Sequence, residues 1–444
     1  MQLNIANQWI VKDFFPRVEA KSTWETPPAV LSLVIRSNEV YVQNSDAPGS
    51  NAWEKWRFDA SMADTHLPRI LHHLNEFRSA QTSYLNDISQ EVEDQLKGYV
   101  AEDNWENSPD VALPECEVRW RETVSMSQEL WYLAQASHDF FADVFPNQDR
   151  LGELIRSLRP GCKIDIDWQD GPVANMPWGL LYTQEPKAGE PIDPELFWGL
   201  RFRIDYQAYR QKNANRSLII GARDTVNVGH AYYWKGLVND SIVAESKWQR
   251  DHFLGFSNHI AIPDSANSGN GAKQELIKWL TKPSPTPMPV IYMYCVGNVD
   301  TDASLVFGKD NFDSNSTTIQ ELDLPRSPFS DVRLVFCNAC DSSKRQPGAA
   351  VNLLEKHFIN RGCSAFLGTV HQIPISLASR FAIVFFHFFY NSYRGTCVSA
   401  GEAVSLTRRF LWRKYRNVGG LFYNYVNEYD LTFEETGWDQ KTKQ

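Results

Sequence analysis

Residues 332–343 read Val-Arg-Leu-Val-Phe-Cys-Asn-Ala-Cys-Asp-Ser-Ser. Val332 to Cys337 is a short apolar run without clean alternation, as expected of a strand covered on both faces. From Asn338 the chain turns polar, which ends the strand. Runs of the same kind recur on both sides: Ser217 to Gly221, His259 to Ile262, Val290 to Cys295 and Ser364 to Val370. Between and after them lie helical patterns: Ala272 to Leu280, with Leu276, Trp279 and Leu280 on one side, then Ala349 to Phe358, Ile375 to Tyr393 and Gly401 to Arg413. Strands alternating with helices predict an α/β fold, a mostly parallel sheet flanked by helices. In such sheets chemistry sits beyond the carboxyl ends of the strands. The stretch after Val332–Cys337 therefore matters most.

The N-terminal third is a mixed α+β region. Val30 to Gln43 holds two apolar stretches around Ser37-Asn38-Glu39, a hairpin or bent strand, and Trp56 to Asp59 adds a further strand. Leu67 to Tyr99 has helical spacing, with Leu67, Ile70, Leu71, Leu74 and Phe77 on one face. Ala101 to Pro114 is acidic and polar, a linker. Ser125 to Phe145 and Leu151 to Leu158 are helical again, and Cys162 to Trp168 alternates as a strand with one wet face. The expected division is residues 1–118, 119–430 as the main domain, and a 431–444 tail.

Composition excludes several classes. The 444 residues carry a formal charge of −10, which argues against a general affinity for nucleic acid or an anionic membrane. The longest apolar run, Phe381 to Tyr390, holds His387 and is far short of the roughly 20 residues a spanning helix needs. No signal peptide is read in the first fifteen residues. The seven cysteines, at 116, 162, 295, 337, 340, 363 and 397, are odd in number and scattered, so no disulfide framework is expected. A soluble, cytoplasmic chain is expected.

Chemical motifs are mostly missing. Ser268 to Lys273 is Gly-rich but lacks the P-loop's Lys-Ser/Thr spacing. There is no G-x-S-x-G and no H-E-x-x-H, and His72-His73 lacks a metal-type spacing. Asp165, Asp167 and Asp170 suggest a calcium loop, but Met176 stands where its last Glu belongs, so they read as the wet face of a strand. Neither a metal nor a cofactor is expected. Cys340 differs: it follows Asn338-Ala339 and precedes Asp341-Ser342-Ser343, in a polar turn past a strand end. A nucleophilic thiolate needs partial exposure, backbone N–H groups and a base. Position alone fits a nucleophile and a structural thiol equally.

Three segments together resemble the CHAT family, bacterial members of the caspase-like cysteine peptidase clan. Met176-Pro-Trp-Gly-Leu-Leu-Tyr182 is similar to its Pro-Trp-Glu-Leu-Leu segment, Val290 to Gly297 to the strand ending in its His-Gly, and Val335 to Ser343 to its nucleophile turn. Arg361 to Thr369 and Ser376 to Tyr393 follow as that family's next strand and helix, so the resemblance spans about 120 to 425. It implies a caspase-like fold with Cys340 as nucleophile, Gly297 and Cys340 N–H groups as oxyanion donors, and a protein or peptide as substrate or partner. It also implies bacterial signalling, cell suicide or antiphage defence beside a separate sensor subunit.

One departure alters the chemistry. The general-base histidine of the family falls on Val296, 44 residues before Cys340, against about 50 in caspases. No histidine lies between His259 and His357, so no shift of alignment restores it. Valine neither accepts a proton nor protonates a leaving amine, and loss of one member of such a pair costs orders of magnitude in rate. Two readings follow: a pseudo-peptidase whose groove binds a partner, or an endopeptidase with a relocated base. His371, past the strand after the nucleophile's, is the candidate for the latter; His357 and His387 lie on helices and do not point to the turn. An inactivating replacement of a natural histidine would give the same sequence. Asp341, Asp300 and Asp302 are candidates to line a pocket for a basic side chain, against their reading as solvated loop carboxylates. A purely structural module would instead bury Cys340.

Overall fold

The computed structural model describes residues 30–36, 39–44, 54–57, 64–80, 124–145, 148–168, 176–207, 217–222, 226–232, 249, 258–261, 288–298, 304–306, 316–318, 332–343, 353–390, 397–415 and 417–434. Sixteen strands are described. They are β1 (Val30–Arg36), β2 (Glu39–Asn44), β3 (Glu54–Arg57), β4 (Lys163–Trp168), β5 (Arg203–Gln207), β6 (Ser217–Ala222), β7 (Asn227–Tyr232), β8 (Asn258–Ala261), β9 (Val290–Tyr294), β10 (Val296–Asn298), β11 (Ser304–Val306), β12 (Ser316–Thr318), β13 (Leu334–Asn338), β14 (Ala365–Thr369), β15 (Tyr423–Asn427) and β16 (Asp430–Glu434). The longer helices described are α1 (64–80), α2 (Val124–Val144), α3 (Gln148–Ser157), α4 (Leu353–Asn360), α5 (Ile375–Tyr390) and α6 (Ala400–Tyr415).

Eleven strands form one sheet in the order β3-β2-β1-β4-β5-β15-β14-β13-β9-β7-β8. It is mostly parallel, as expected, but its parallel strands fall into two blocks running in opposite directions. β7, β8, β9, β13 and β14 are mutually parallel, as are β1, β4, β5 and β15. The blocks meet in the antiparallel β14–β15 ladder, where Thr369 pairs with Tyr423. The hairpin expected around residues 37–39 is the β1–β2 pair, and β1 joins β4, so the strands of the 1–118 segment belong to the main sheet. β6 stands outside it, paired with β16, whose residues reach into the 431–444 segment. The expected helix at 272–280 and the linker at 101–114 lie outside the described residues.

Helices cover both faces. Residues in β13 alternate: Phe336 meets Phe381, Phe385 and Phe386 of α5, while Val335 points the other way, its register partner Phe366 stacking on Phe358 of α4. α6 lies beside α5, joined by the Phe388–Phe410 contact. On the other block, α1 and α2 are tied by Arg69–Asp139 (2.7 Å) and His66–Asp143 (3.0 Å). There Phe140, Phe145 and Trp198 enclose Trp178. Among the described residues, no helix is long and apolar enough to cross a membrane.

Candidate active site around Cys340

β13 ends at Asn338, and the next five residues form a turn held by short polar side chains. Ser342 Oγ donates to the Cys337 carbonyl (2.8 Å) and accepts from Thr369 N–H (2.9 Å). Thr369 Oγ1 donates to the Ala339 carbonyl (2.7 Å), and Ser343 N–H to the Thr369 carbonyl (2.7 Å). Ser343 Oγ donates to buried Glu355 of α4 at 3.1 Å. The serines after the cysteine thus bolt the turn to the end of β14. Gly368 makes room for them: a Cβ there would lie 2.8 Å from both hydroxyl oxygens.

Beneath the turn, Asn338 saturates a buried amide site. Its Nδ2 donates to Tyr292 Oη (2.9 Å) and the Ala378 carbonyl of α5 (2.8 Å), while Oδ1 accepts from Tyr423 Oη (2.8 Å). Tyr292 Oη donates in turn to Gln249 Oε1 (2.5 Å). These neutral groups fix the strand end because each is paired away from water.

Cys340 is half-buried at the turn's tip, and Asp341 after it takes φ 60°, the left-handed region that side chains rarely adopt. Burial pushes the Cys340 thiol above its ordinary range, and Asp341 adds to this. The Ile373 backbone N–H and the Arg78 guanidinium act the other way. At rest the sulfur is therefore mostly protonated near neutral pH. Cys337, fully buried, hydrogen-bonds with Cys295, whose thiol burial also drives far up; all three cysteines are free.

Position 296 comes to this turn through its neighbour. β9 leaves the main sheet after Tyr294, and β10 starts a small antiparallel sheet with β11 and β12. Gly297 packs against the Cys340 turn so closely that a Cβ would overlap the Cys340 carbonyl oxygen. Gly297 and Cys340, chosen from sequence as oxyanion donors, are thus in direct contact, with Val296 one residue away.

The other sequence candidates are distributed differently. His371 follows β14 and is half-buried; its Nδ1 accepts the Gln372 backbone N–H at 2.7 Å. Its loop reaches the thiol through Ile373 N–H. Asp341 is 8% exposed, so its carboxylate is largely withdrawn from solvent rather than a solvated loop charge. Asp300 and Asp302 lie outside the described residues. Met176–Tyr182 is core: Trp178 is fully buried and Gly179 N–H donates to Tyr206 Oη (3.2 Å).

Sequence reasoning missed Arg78, at the end of α1. Its Nη1 donates to Gln372 Oε1 (2.9 Å), bringing the guanidinium to the loop that touches the sulfur. It also missed the strand β15 that carries Tyr423. Helical periodicity placed α1, but nothing in it tied residue 78 to residue 340.

No family model matches the chain, and no curated protein is similar to it in sequence. Among solved structures it is similar to the Saccharomyces cerevisiae separase–securin complex (TM-score 0.46, 11% identity, 91% of this chain). The chain spans about 30% of that separase-complex chain. It is also similar to the Arg-specific cysteine proteinase gingipain R (TM-score 0.40, 9% identity, 70% of this chain and 75% of that one). A further similarity is to the complex of Porphyromonas gingivalis RgpB pro- and mature domains (TM-score 0.39, 9% identity, 66% and 68%). Similarity this distant assigns no activity.

Proposed function

We propose that the chain is a caspase-like cysteine peptidase fold that has lost its general base and now binds a protein or peptide partner as a regulatory subunit. The observation that carries this reading is the contact of Gly297 with Cys340. Gly297 follows Val296 in the chain and packs on the braced turn that carries Cys340, which supports reading position 296 as the vacated base position. A thiol kept protonated, with no imidazole at that position, attacks a carbonyl slowly and leaves the departing amine unprotonated. Gly297 and Cys340 N–H groups remain suited to receive a peptide carbonyl without cleaving it. We place this activity in the cytoplasm, in bacterial signalling, cell suicide or antiphage defence beside a separate sensor subunit, on the resemblance of the sequence to the CHAT family.

A second reading is favoured by one observation: the loop holding His371 touches the thiol through Ile373. In it, His371 acts as a relocated base and the chain is an active endopeptidase. Both are tested on a pooled peptide library with the unaltered chain, Val296→His and His371→Ala. Cleavage by Val296→His alone supports the first reading. Cleavage by the unaltered chain that His371→Ala abolishes supports the second and overturns the first.

A further inference from the structure

The cations of this molecule are not treated alike. Arg69 of α1 pairs with Asp139 (2.7 Å), Arg203 with Asp205 and Asp430 (2.5 and 2.6 Å), and Lys163 with Asp165 (2.7 Å). Arg78, nine residues after Arg69 on the same helix, meets neutral oxygens among the described residues. Its Nη1 donates to Gln372 Oε1 (2.9 Å), and its Nη2 to Asn75 Oδ1 (3.1 Å) and Ser79 Oγ (3.4 Å). Among the described residues no carboxylate pairs with it. The Gln372 bond lies at the surface, beside the residue whose N–H reaches Cys340. A guanidinium fixed by neutral acceptors keeps its full charge and its planar fork, which matches a carboxylate in two parallel hydrogen bonds. Asp341, on the thiol's own turn, is itself buried.

We infer that Arg78 is the recognition cation of the peptide site at the Cys340 turn and takes an acidic side chain of the bound peptide. This rests on reading the Cys340 turn as a peptide site. It reverses the sign of the preference drawn from Asp341 and Asp300, which suits a basic side chain. Arg78 is a specificity residue here: it reads the ligand's charge and takes no part in proton transfer.

The test uses the full chain and needs no catalysis. Cys340 is modified with methanethiosulfonates bearing a sulfonate or a trimethylammonium group, each rate referred to that reagent's rate with a small free thiol, and the site read by peptide mass mapping. The anionic reagent is expected to be favoured. The anion-to-cation ratio should fall about threefold to tenfold in Arg78→Met, stay high in Arg78→Lys, and shrink as salt rises in the unaltered chain. An unchanged ratio in Arg78→Met overturns the inference; should that variant not fold, a ratio indifferent to salt in the unaltered chain overturns it equally. Failure of every reagent to reach Cys340 would defeat the peptide-site reading itself, a different outcome. A second arm measures protection of Cys340 from a neutral reagent. Amidated peptides with an internal Asp or Glu should protect. Equal protection by a neutral peptide with a free C-terminal carboxylate would move the assignment to a chain terminus and overturn the side-chain form.

Discussion

The two blocks of the sheet solve the problem of buried polarity in opposite ways. Around β13 and β14 the buried polar groups that hold the strand end are mostly neutral: Asn338 bonds Tyr292 and Tyr423, and Ser342 and Thr369 bond each other and the turn's backbone, with Glu355 a carboxylate that takes a bond from the turn. Around β4 and β5 they are ionic. Arg203 bonds Asp205 through Nε (2.9 Å) and Asp430 through Nη2 (2.6 Å), and Lys163 lies 3.5 Å from Asp205. Gly401 of α6 covers the cluster; a Cβ there would come 2.7 Å from Asp205 Oδ1. Charge on that side ties β4, β5 and β16 together beneath a helix. Near the thiol a mostly neutral brace orients the turn, while the sulfur's charge state is governed first by burial and then by the Ile373 N–H, Asp341 and Arg78. The contrast teaches that a site can be rigid without being electrostatically primed.

Breaking the ionic block should cost most. Arg203→Met leaves Asp205 fully buried beside a more distant lysine, and a loss of about 3–5 kcal/mol in urea unfolding is expected. Arg203→Met with Asp205→Leu should recover much of it. A single-variant loss within experimental error would mean that the ions do not hold this block.

The thiol block should show a smaller effect, through pH. Burial brings His387 of α5 down to about 4, from 6.5. A histidine held neutral contributes stability that is fully present above its unfolded value and is lost as pH falls. The window runs from about 6.5 to about 4 and is worth about 3 kcal/mol. His387→Phe should flatten that part of the stability–pH curve.

Two smaller effects sharpen the comparison at the turn. Gly297→Ala must displace the Cys340 carbonyl, with an expected cost of about 2 kcal/mol and a changed rate of Cys340 alkylation. Asp341→Gly relieves the left-handed backbone, an expected gain of about 1 kcal/mol or less. It also removes the carboxylate that raises the thiol, so alkylation at a given pH should quicken. Alkylation unchanged by both would separate the turn's geometry from the sulfur's reactivity.

The sequence was most readable where apolar runs ended abruptly. Val332–Cys337 and the polar residues after it mark β13 and the turn in which Cys340 lies, because a strand buried on both faces is an unbroken apolar run that stops where the chain turns polar. It was least readable where charge is buried. Cys162–Trp168 alternates and reads as a strand with one wet face. Yet Asp165 is 5% exposed within the ion cluster, since a paired carboxylate looks the same in sequence as a solvated one. β5 (Arg-Ile-Asp-Tyr-Gln) and β15 (Tyr-Asn-Tyr-Val-Asn) are hidden for the same reason: Arg203 and Asp205 of β5 neutralise each other, and Tyr423 of β15 finds Asn338 across the sheet. Arg78 is joined to Gln372 across 294 residues of chain, a contact that periodicity cannot carry.

The most direct test follows the rate of Cys340 alkylation from pH 5 to 10 in the unaltered chain and in Val296→His. Without a base, labelling should rise along a single titration lying above the ordinary thiol value of about 8.5, and Val296→His should shift it toward neutral pH. Rapid labelling of the unaltered chain that is already independent of pH near neutrality would contradict this: Cys340 would then be a thiolate with a base of its own.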